Sequence, residues 1–255
     1  MDEIYQPSNG CGELAVCHLG TIPYRDALAI QQDLRARRQS GAIPDTLLLL
    51  EHPPVYTRGR RSGAQELPFP ERFYSDRGID IVDTDRGGRL TYHGPGQLVG
   101  YPIMALTDIG RHLRTMEAAI VAALAEEGLE ARSRCQEGPD YTGVWVPVAE
   151  GGQDRKIASI GVHVSRGVST HGFAVNVDND LSPFTWVVPC GLPDVQMTSL
   201  SHELPADRAV DPDAFRERIA RCFCDAHGRQ MEIVTPADLG LDTSALSLTP
   251  TPVTA

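Results

Sequence analysis

Three short stretches gather residue types that can do chemistry. The first, RGGRLTYHGPGQLVG (86–100), sets five glycines, a proline, two arginines and a histidine in fifteen positions. Glycine at that density costs chain entropy unless the backbone takes unusual dihedrals or approaches something closely. Gly87, Gly88, Gly94 and Gly96 flank a strand-like RLTYH, which sets His93 and two arginines beside bare backbone and makes a ligand-facing loop. No Gly-Lys-Ser/Thr follows, so it is not a phosphate loop. No helix opens on its glycines, so it is not a dinucleotide fingerprint.

The second, RKIASIGVHV (155–164), carries Lys156, the single lysine among 23 basic residues. A solvated lysine at a strand edge is the ordinary reading of such a position. Its uniqueness, and the small segment Ser159-Ile160-Gly161 on the same strand, point instead to a group that holds a thiolate or shuttles a proton, tasks in which arginine is no substitute. The third, VVPCGLPD (187–194), brackets Cys190 with Pro189 and Gly191 in a sharp turn that presents the thiol as a nucleophile. At an unperturbed pKa near 8.5, only about 3% of such a thiol is thiolate at pH 7. A neighbouring cation is therefore required, and Lys156 is the candidate.

The other cysteines read differently. Cys11, Cys17 and Cys135 are expected as small buried hydrophobes, and Cys222, Cys224 and His227 do not make a zinc site, because 222 and 224 point to nearly opposite sides of a predicted helix and no second ligand pair occurs. No metal and no cofactor are called for.

The elements that must position these groups follow from pattern. ELAVCHLG (13–20), the apolar DTLLLLEH (45–52), IDIVDTD (79–85), YTGVWVPV (141–148), KIASIGVHV (156–164) and THGFAVNVD (170–178) read as strands. Helices are expected from about Pro23 to Gln39, from about Gly110 to Glu127 with Leu113, Met116, Ile120 and Leu124 as its buried stripe, and after Asp211-Pro212 with Phe215, Ile219 and Phe223 buried. Residues 53–78 read as an ordered loop and AEGGQDR (149–155) as a hairpin tip. Without regular βαβ alternation, the chain reads as α+β around a mixed or mostly antiparallel sheet: one domain over 1–240 and a disordered tail over 241–255.

The net charge of −11 excludes general nucleic-acid binding, which depends on neutralising phosphates. The acidic amino terminus is no signal peptide and the longest apolar run, Leu47–Leu50, cannot span a bilayer, so the reading is a cytoplasmic protein with no membrane partner, taken as a monomer. TRGRR (57–61) is the densest basic patch, and Arg58, Arg60 and Arg61 are the expected docking point for an acidic partner.

With these residues in hand, the chain resembles the lipoyl(octanoyl) transferases. RGGRLTYHGPGQ (86–97) resembles that family's signature of Arg-Gly-Gly, two residues, Thr-aromatic-His, two residues, Gly-Gln. KIASIGV (156–162), HGFAVNV (171–177) and PCG (189–191) resemble its other blocks in order and spacing, over roughly residues 13–235. The resemblance implies the catalytic domain shared with biotin and lipoate ligases, a mixed central sheet flanked by helices. It implies an acyltransferase that moves an octanoyl group from octanoyl-acyl carrier protein to a lysine of lipoyl domains in 2-oxoacid dehydrogenases and the glycine cleavage system, the first step of lipoate biosynthesis. Cys190 would carry the acyl group as a thioester, and Lys156 would lower its pKa and move protons. Arg86, Gly87, Gly88, Arg89, Leu90, Thr91, Tyr92 and His93, with Ser159, Ile160 and Gly161 and with Gly172, Phe173 and Ala174, would line the acyl site. Val99, Ile160 and Val175 are candidates for the apolar wall that measures the chain.

Two other readings compete. An ATP-dependent lipoate or biotin ligase on the same fold activates a free carboxylate as an adenylate and needs no cysteine. A non-catalytic carrier that itself bears lipoate needs an exposed lysine at a hairpin tip.

Overall fold

The computed structural model describes residues 12–148, 152–187 and 195–242. Cys11, residues 149–151 of the expected hairpin tip, the Cys190 turn at 188–194 and residues 243–255 of the tail lie outside them. In chain order the elements are β1 (Glu13–Thr21), α1 (Tyr24–Gln39), β2 (Thr46–Glu51), β3 (Val55–Arg58), α2 (Glu71–Ser75), β4 (Asp80–Asp83), β5 (Thr91–His93) and β6 (Gln97–Ile103). There follow α3 (Ile109–Glu126), β7 (Arg132–Ser133), β8 (Gly143–Val146), β9 (Arg155–Ser165), β10 (Val168–Asn176), α4 (Leu200–Glu203), α5 (Pro212–Ala226) and β11 (Gln230–Val234).

β2 shows how the large sheet is covered. Its run of leucines has no alternation because both faces are buried. Leu47 and Leu49 enter the core beneath α3 and α5, while Leu48 and Leu50 enter the core beneath α1. The strand order is β11-β1-β2-β6-β10-β9-β8-β7. β1 is parallel to β11 and to β2, and every other pair is antiparallel. A second sheet, β4-β3-β5, stands apart from the first. This is the expected mixed sheet flanked by helices.

The helix signals act as read. Asp211 accepts from the Asp213 and Ala214 N–H groups (3.0 and 3.1 Å) ahead of Pro212, and Phe215, Ile219 and Phe223 are buried. On α3, Met116, Ile120 and Leu124 are buried and Leu113 packs half-buried against the same core. Leu241, assigned above to the tail, packs against the α1 core and donates its N–H to Pro236 O.

Two regions differ from expectation. Residues 53–78 hold β3 and α2 rather than loop alone, because VYTR is too short to show a period. β6 was invisible: Gly100 and Pro102 both read against a central strand. The ladder to β10 ends at the Gly100–Phe173 pair, so the missing Pro102 N–H removes no bond from it. Gly100 leaves room for the Phe173 ring, and a Cβ on Gly172 would overlap the Gly100 carbonyl oxygen.

That close approach makes a prediction. Gly172→Ala forces β6 and β10 apart and should cost at least about 2 kcal/mol, within the range for overpacked cores, read as a lowered urea midpoint at unchanged slope. A midpoint equal to the wild type would show that the strands separate freely.

Candidate active site

The two motif strands lie side by side. β9 and β10 pair with Ser159 opposite Ala174, Ile160 opposite Phe173 and Gly161 opposite Gly172. The 86–90 turn lies against β9 at Gly161 and Val162. Gly87 N–H donates to Val162 O (2.9 Å), and the Arg60 and Arg61 N–H groups donate to Arg86 O and Gly88 O (both 3.0 Å). A Cβ on Gly161 would stand 2.7 Å from Gly87 O, and one on Gly59 would stand 2.6 Å from Gly88 O. The glycines are therefore used for backbone lying on backbone. Gly87 faces β9 and its N–H is committed there, so it lies outside the cleft lining and is not among the donors available to a ligand.

These elements enclose a cleft of about 610 Å³, part of it open to solvent. Arg86, Gly88, Arg89, Leu90, Thr91 and His93 line one side, and Lys156, Ser159, Ile160 and Gly161 with Gly172, Phe173 and Ala174 line the other. Tyr92 does not. Successive β5 side chains alternate, so Tyr92 turns away from Thr91 and His93 and packs with Tyr56 and Phe184 (ring centroids 5.5 Å from each). Ile160 is in the lining, but Val99 and Val175 are not. They are core residues on opposite faces of the large sheet.

Lys156 is 2% exposed, so it is neither a solvated edge lysine nor the presented lysine of a carrier domain. Its stem passes close to Gly143, where a Cβ would stand 2.9 Å from Lys156 Cε and 2.3 Å from Ala158 O. Its ammonium lies 5.2 Å from the Trp145 ring centroid, a cation over an aromatic face. Trp145 is itself fixed by donating Nε1–H to Tyr141 O (3.0 Å), and Arg134 covers both rings. The Lys156 N–H donates to Gln196 O (2.8 Å) and its carbonyl accepts from Thr198 N–H (2.9 Å).

Arg86 is buried and held by Thr57, with Nε to Oγ1 at 3.1 Å and NH2 to the carbonyl at 2.6 Å. Of the basic patch, Arg58 pairs with Asp83 (2.6 Å) and Arg61 with Asp140 (2.9 Å), both of the latter on the cleft lining, while Arg60 is exposed. Cys17, Cys222 and Cys224 are buried, and burial pushes the Cys17 thiol up to about 12 and the Cys224 thiol to about 11. Cys135, expected buried, is half-buried on the short turn after β7.

Sequence reasoning missed a cluster of rings at the cleft: Tyr24, Tyr101 and His171, with His52 behind them. His171 Nε2 lies 2.7 Å from Asp85 and its Nδ1 lies 3.3 Å from the Tyr24 hydroxyl. The hydrogen bond from His171 holds Asp85 down at about 2, while burial keeps His171 itself below the ordinary histidine value, so a neutral imidazole donates to a carboxylate. His52 Nδ1–H donates to Ile22 O (2.6 Å) and its Nε2 accepts from Tyr101 (2.7 Å), and burial lowers its pKa to about 4. Burial, with His52 beside it, takes His93 well below the usual range. The signal available was His171 next to Gly172. Its φ of +57°, unusual for a side chain of this kind, has no trace in the sequence.

The family described as the lipoyl protein ligase A/B catalytic domain matches residues 23–224. The chain belongs to that family. Among its relatives are the octanoyltransferases of Mycobacterium ulcerans (strain Agy99), 47% identical over 83% of this chain and 87% of that one, and of Mycobacterium leprae (strain TN), 48% identical over 83% and 86%. That of Acidothermus cellulolyticus is 49% identical over 75% of this chain and 82% of its own. In fold the chain resembles a bipartite lipoate protein ligase from Thermoplasma acidophilum (TM-score 0.68, 20% identity, covering 88% and 87%) and a lipoate-protein ligase A bound with ATP (TM-score 0.65, 19%, covering 88% of each).

In this member of the lipoyl ligase A/B family the buried imidazoles set an acid limit on folding. Between pH 6.5 and about 4, the unfolded chain binds a proton at His52 that the folded chain refuses, so stability falls as pH falls through that window. His52 alone should account for about 2 kcal/mol between pH 7 and 4.5. His52→Gln, followed by urea unfolding at both values, should show a difference between them smaller by that order. An identical difference would mean that His52 titrates alike in both states.

Proposed function

We propose that the chain is an octanoyltransferase that moves an octanoyl group from octanoyl-acyl carrier protein to a lysine of lipoyl-domain proteins, with Cys190 as nucleophile and Lys156 as its partner base. The observation that carries the reading is a buried lone lysine in a cleft whose walls are the three motif blocks, in a chain whose curated relatives at 47–49% identity are octanoyltransferases. The Cys190 segment leaves the described chain at Val187 and rejoins it just before Gln196, which is bonded to Lys156.

The chemistry balances without an outside energy source. The Cys190 thiolate attacks the donor thioester carbonyl, the bond to the carrier sulfur breaks, and the carrier leaves as a thiol on taking the proton that Lys156 holds. The acceptor lysine then attacks the acyl-enzyme thioester through its neutral amine, Lys156 takes the proton released, and Cys190 leaves as thiolate. Thioester exchange is near energy-neutral and amide formation from a thioester runs downhill. The ATP-dependent ligase reading draws on fold likeness at 19–20% identity, whereas the curated relatives at 47–49% identity are octanoyltransferases.

Two measurements test this. On mixing with octanoyl-acyl carrier protein in the absence of ATP, intact mass should show one octanoyl adduct that hydroxylamine removes and that Cys190→Ser lacks. Turnover that requires ATP and survives Cys190→Ser would decide for a ligase. Lys156→Arg keeps the positive charge but cannot release its proton. Turnover should therefore fall by at least about 10²-fold, the lower end for a positioned proton-transfer group, while the variant still reacts with iodoacetamide faster than Lys156→Ala. Near-normal turnover in Lys156→Arg would reduce the lysine to a charge.

A further inference from the structure

We infer that Asn176 is a positioning residue that holds Lys156 in register with the His93 wall of the cleft. The inference rests on the transferase reading of Lys156. β10 ends at Asn176, and beyond it the place beside the start of β9 is taken by residues 196–198, bonded to Lys156 on both its N–H and its carbonyl. The Asn176 side chain stands at this handover. Its Nδ2 donates to Thr198 O (2.9 Å), its Oδ1 accepts from Gln97 Nε2 (2.9 Å), and Gln97 Oε1 lies 2.7 Å from His93 Nδ1. Thr198 N–H then donates to Lys156 O (2.9 Å). His93, Gln97, Asn176 and Thr198 are all buried, so the chain of bonds runs without water from a cleft imidazole to the Lys156 backbone.

The direction of every link is fixed. Thr198 O can only accept, so the Asn176 nitrogen faces it and the Asn176 oxygen faces Gln97. The Gln97 nitrogen donates also to Tyr92 O (3.1 Å), so the Gln97 oxygen faces His93 and the imidazole carries its proton on Nδ1. A second restraint acts on the same residue: the Thr198 hydroxyl donates to Glu203, whose other oxygen accepts from Arg155 (2.7 Å). Among the described residues, the charged groups around this end of β9 include that Arg155–Glu203 pair, Asp154 with Arg132 (2.7 Å) and Arg134 (3.8 Å), and Glu117, which accepts from Gly143 N–H (2.9 Å). Lys156 is thus fixed through its backbone from β10, from residues 196–198 and from α4, while its ammonium is held by side chains of β8. A displacement of about 1 Å in a reacting group can cost up to ~10²-fold in rate.

Asn176→Ala removes both bonds and a third, which Asn176 Oδ1 accepts from Asn179 Nδ2 (3.3 Å). The isosteric Asn176→Asp keeps the one from Gln97 but sets a carboxylate against Thr198 O. The full chain is assayed with octanoyl-acyl carrier protein and a lipoyl domain, and rates are expressed per active site counted from the octanoyl adduct formed in a single turnover. The expected result in both variants is a kcat lower by about tenfold or more with KM for each substrate within about threefold. In Asn176→Ala the acid limb of the kcat pH profile also moves, while the remote core variant Ile219→Val leaves that profile in place. A kcat per active site within threefold of wild type and an unmoved pH profile would overturn the inference, as would losses confined to the active fraction. If the wild type forms no octanoyl adduct at all, the transferase reading fails and takes this inference with it. A normal wild-type adduct with normal Asn176 variants overturns the inference alone.

Discussion

Burying an ammonium group is expensive, and much of the structure around the cleft is arranged by that cost. Lys156 enters the interior along a stem that passes close to Gly143, beneath an indole whose N–H is tied off on Tyr141. Gly143 also serves the sheet, since a Cβ there would stand 2.3 Å from Ala158 O on β9. Gly143 sits at φ +136° at the start of β8, and the pairing of β8 with β9 is irregular between Val144 and Trp145, next to Lys156. The irregular pairing lies beside the slot that the lysine occupies.

The surrounding titratable groups are held in the opposite condition. His52, His93 and His171 are buried and kept neutral, and Tyr24 is pushed up to about 12, so near pH 7 the ring cluster carries no charge of its own. Asp85 supplies the compensating carboxylate for His171 at the edge of the cluster, where it is half exposed. The ring cluster therefore offers hydrogen-bonding edges without ionic ones, while Arg61, Arg86, Arg89 and Asp140 supply charge elsewhere on the cleft lining. Such a neutral patch suits an uncharged part of a substrate.

Much of this was legible in the sequence, and the failures have physical causes. The lone lysine, the two glycine-containing strands and the 86–93 turn were singled out from residue type and spacing, because each breaks a composition or propensity rule, and they meet at one cleft. What the glycines do was not legible. A glycine beside a ligand and a glycine beside another backbone look alike in one dimension, and Gly87 turned out to serve β9. Tyr92 follows the same lesson in reverse: alternation along TYH puts one of three neighbours on the far face, and choosing which requires the partner strand. β6 was hidden because Gly100 and Pro102 were needed for close packing against β10, and local propensity lost to tertiary contact.

The fold is shared with lipoate ligases at 19–20% identity, so the sheet by itself does not choose between adenylate and thioester chemistry. The choice is made by what the sheet is asked to hold. An adenylating site must neutralise phosphates and needs cations that can reach them, yet here Arg86 is bound to Thr57, Arg89 to Glu66 and Arg61 to Asp140. Those three arginines line the cleft with their charge already engaged by acceptors of the protein. A thioester carries no net charge to its reaction and asks for one proton-exchanging group close to a sulfur. A cleft with its arginines engaged, its imidazoles neutral and its lone lysine buried beside residues 196–198 supports the proposed thioester chemistry.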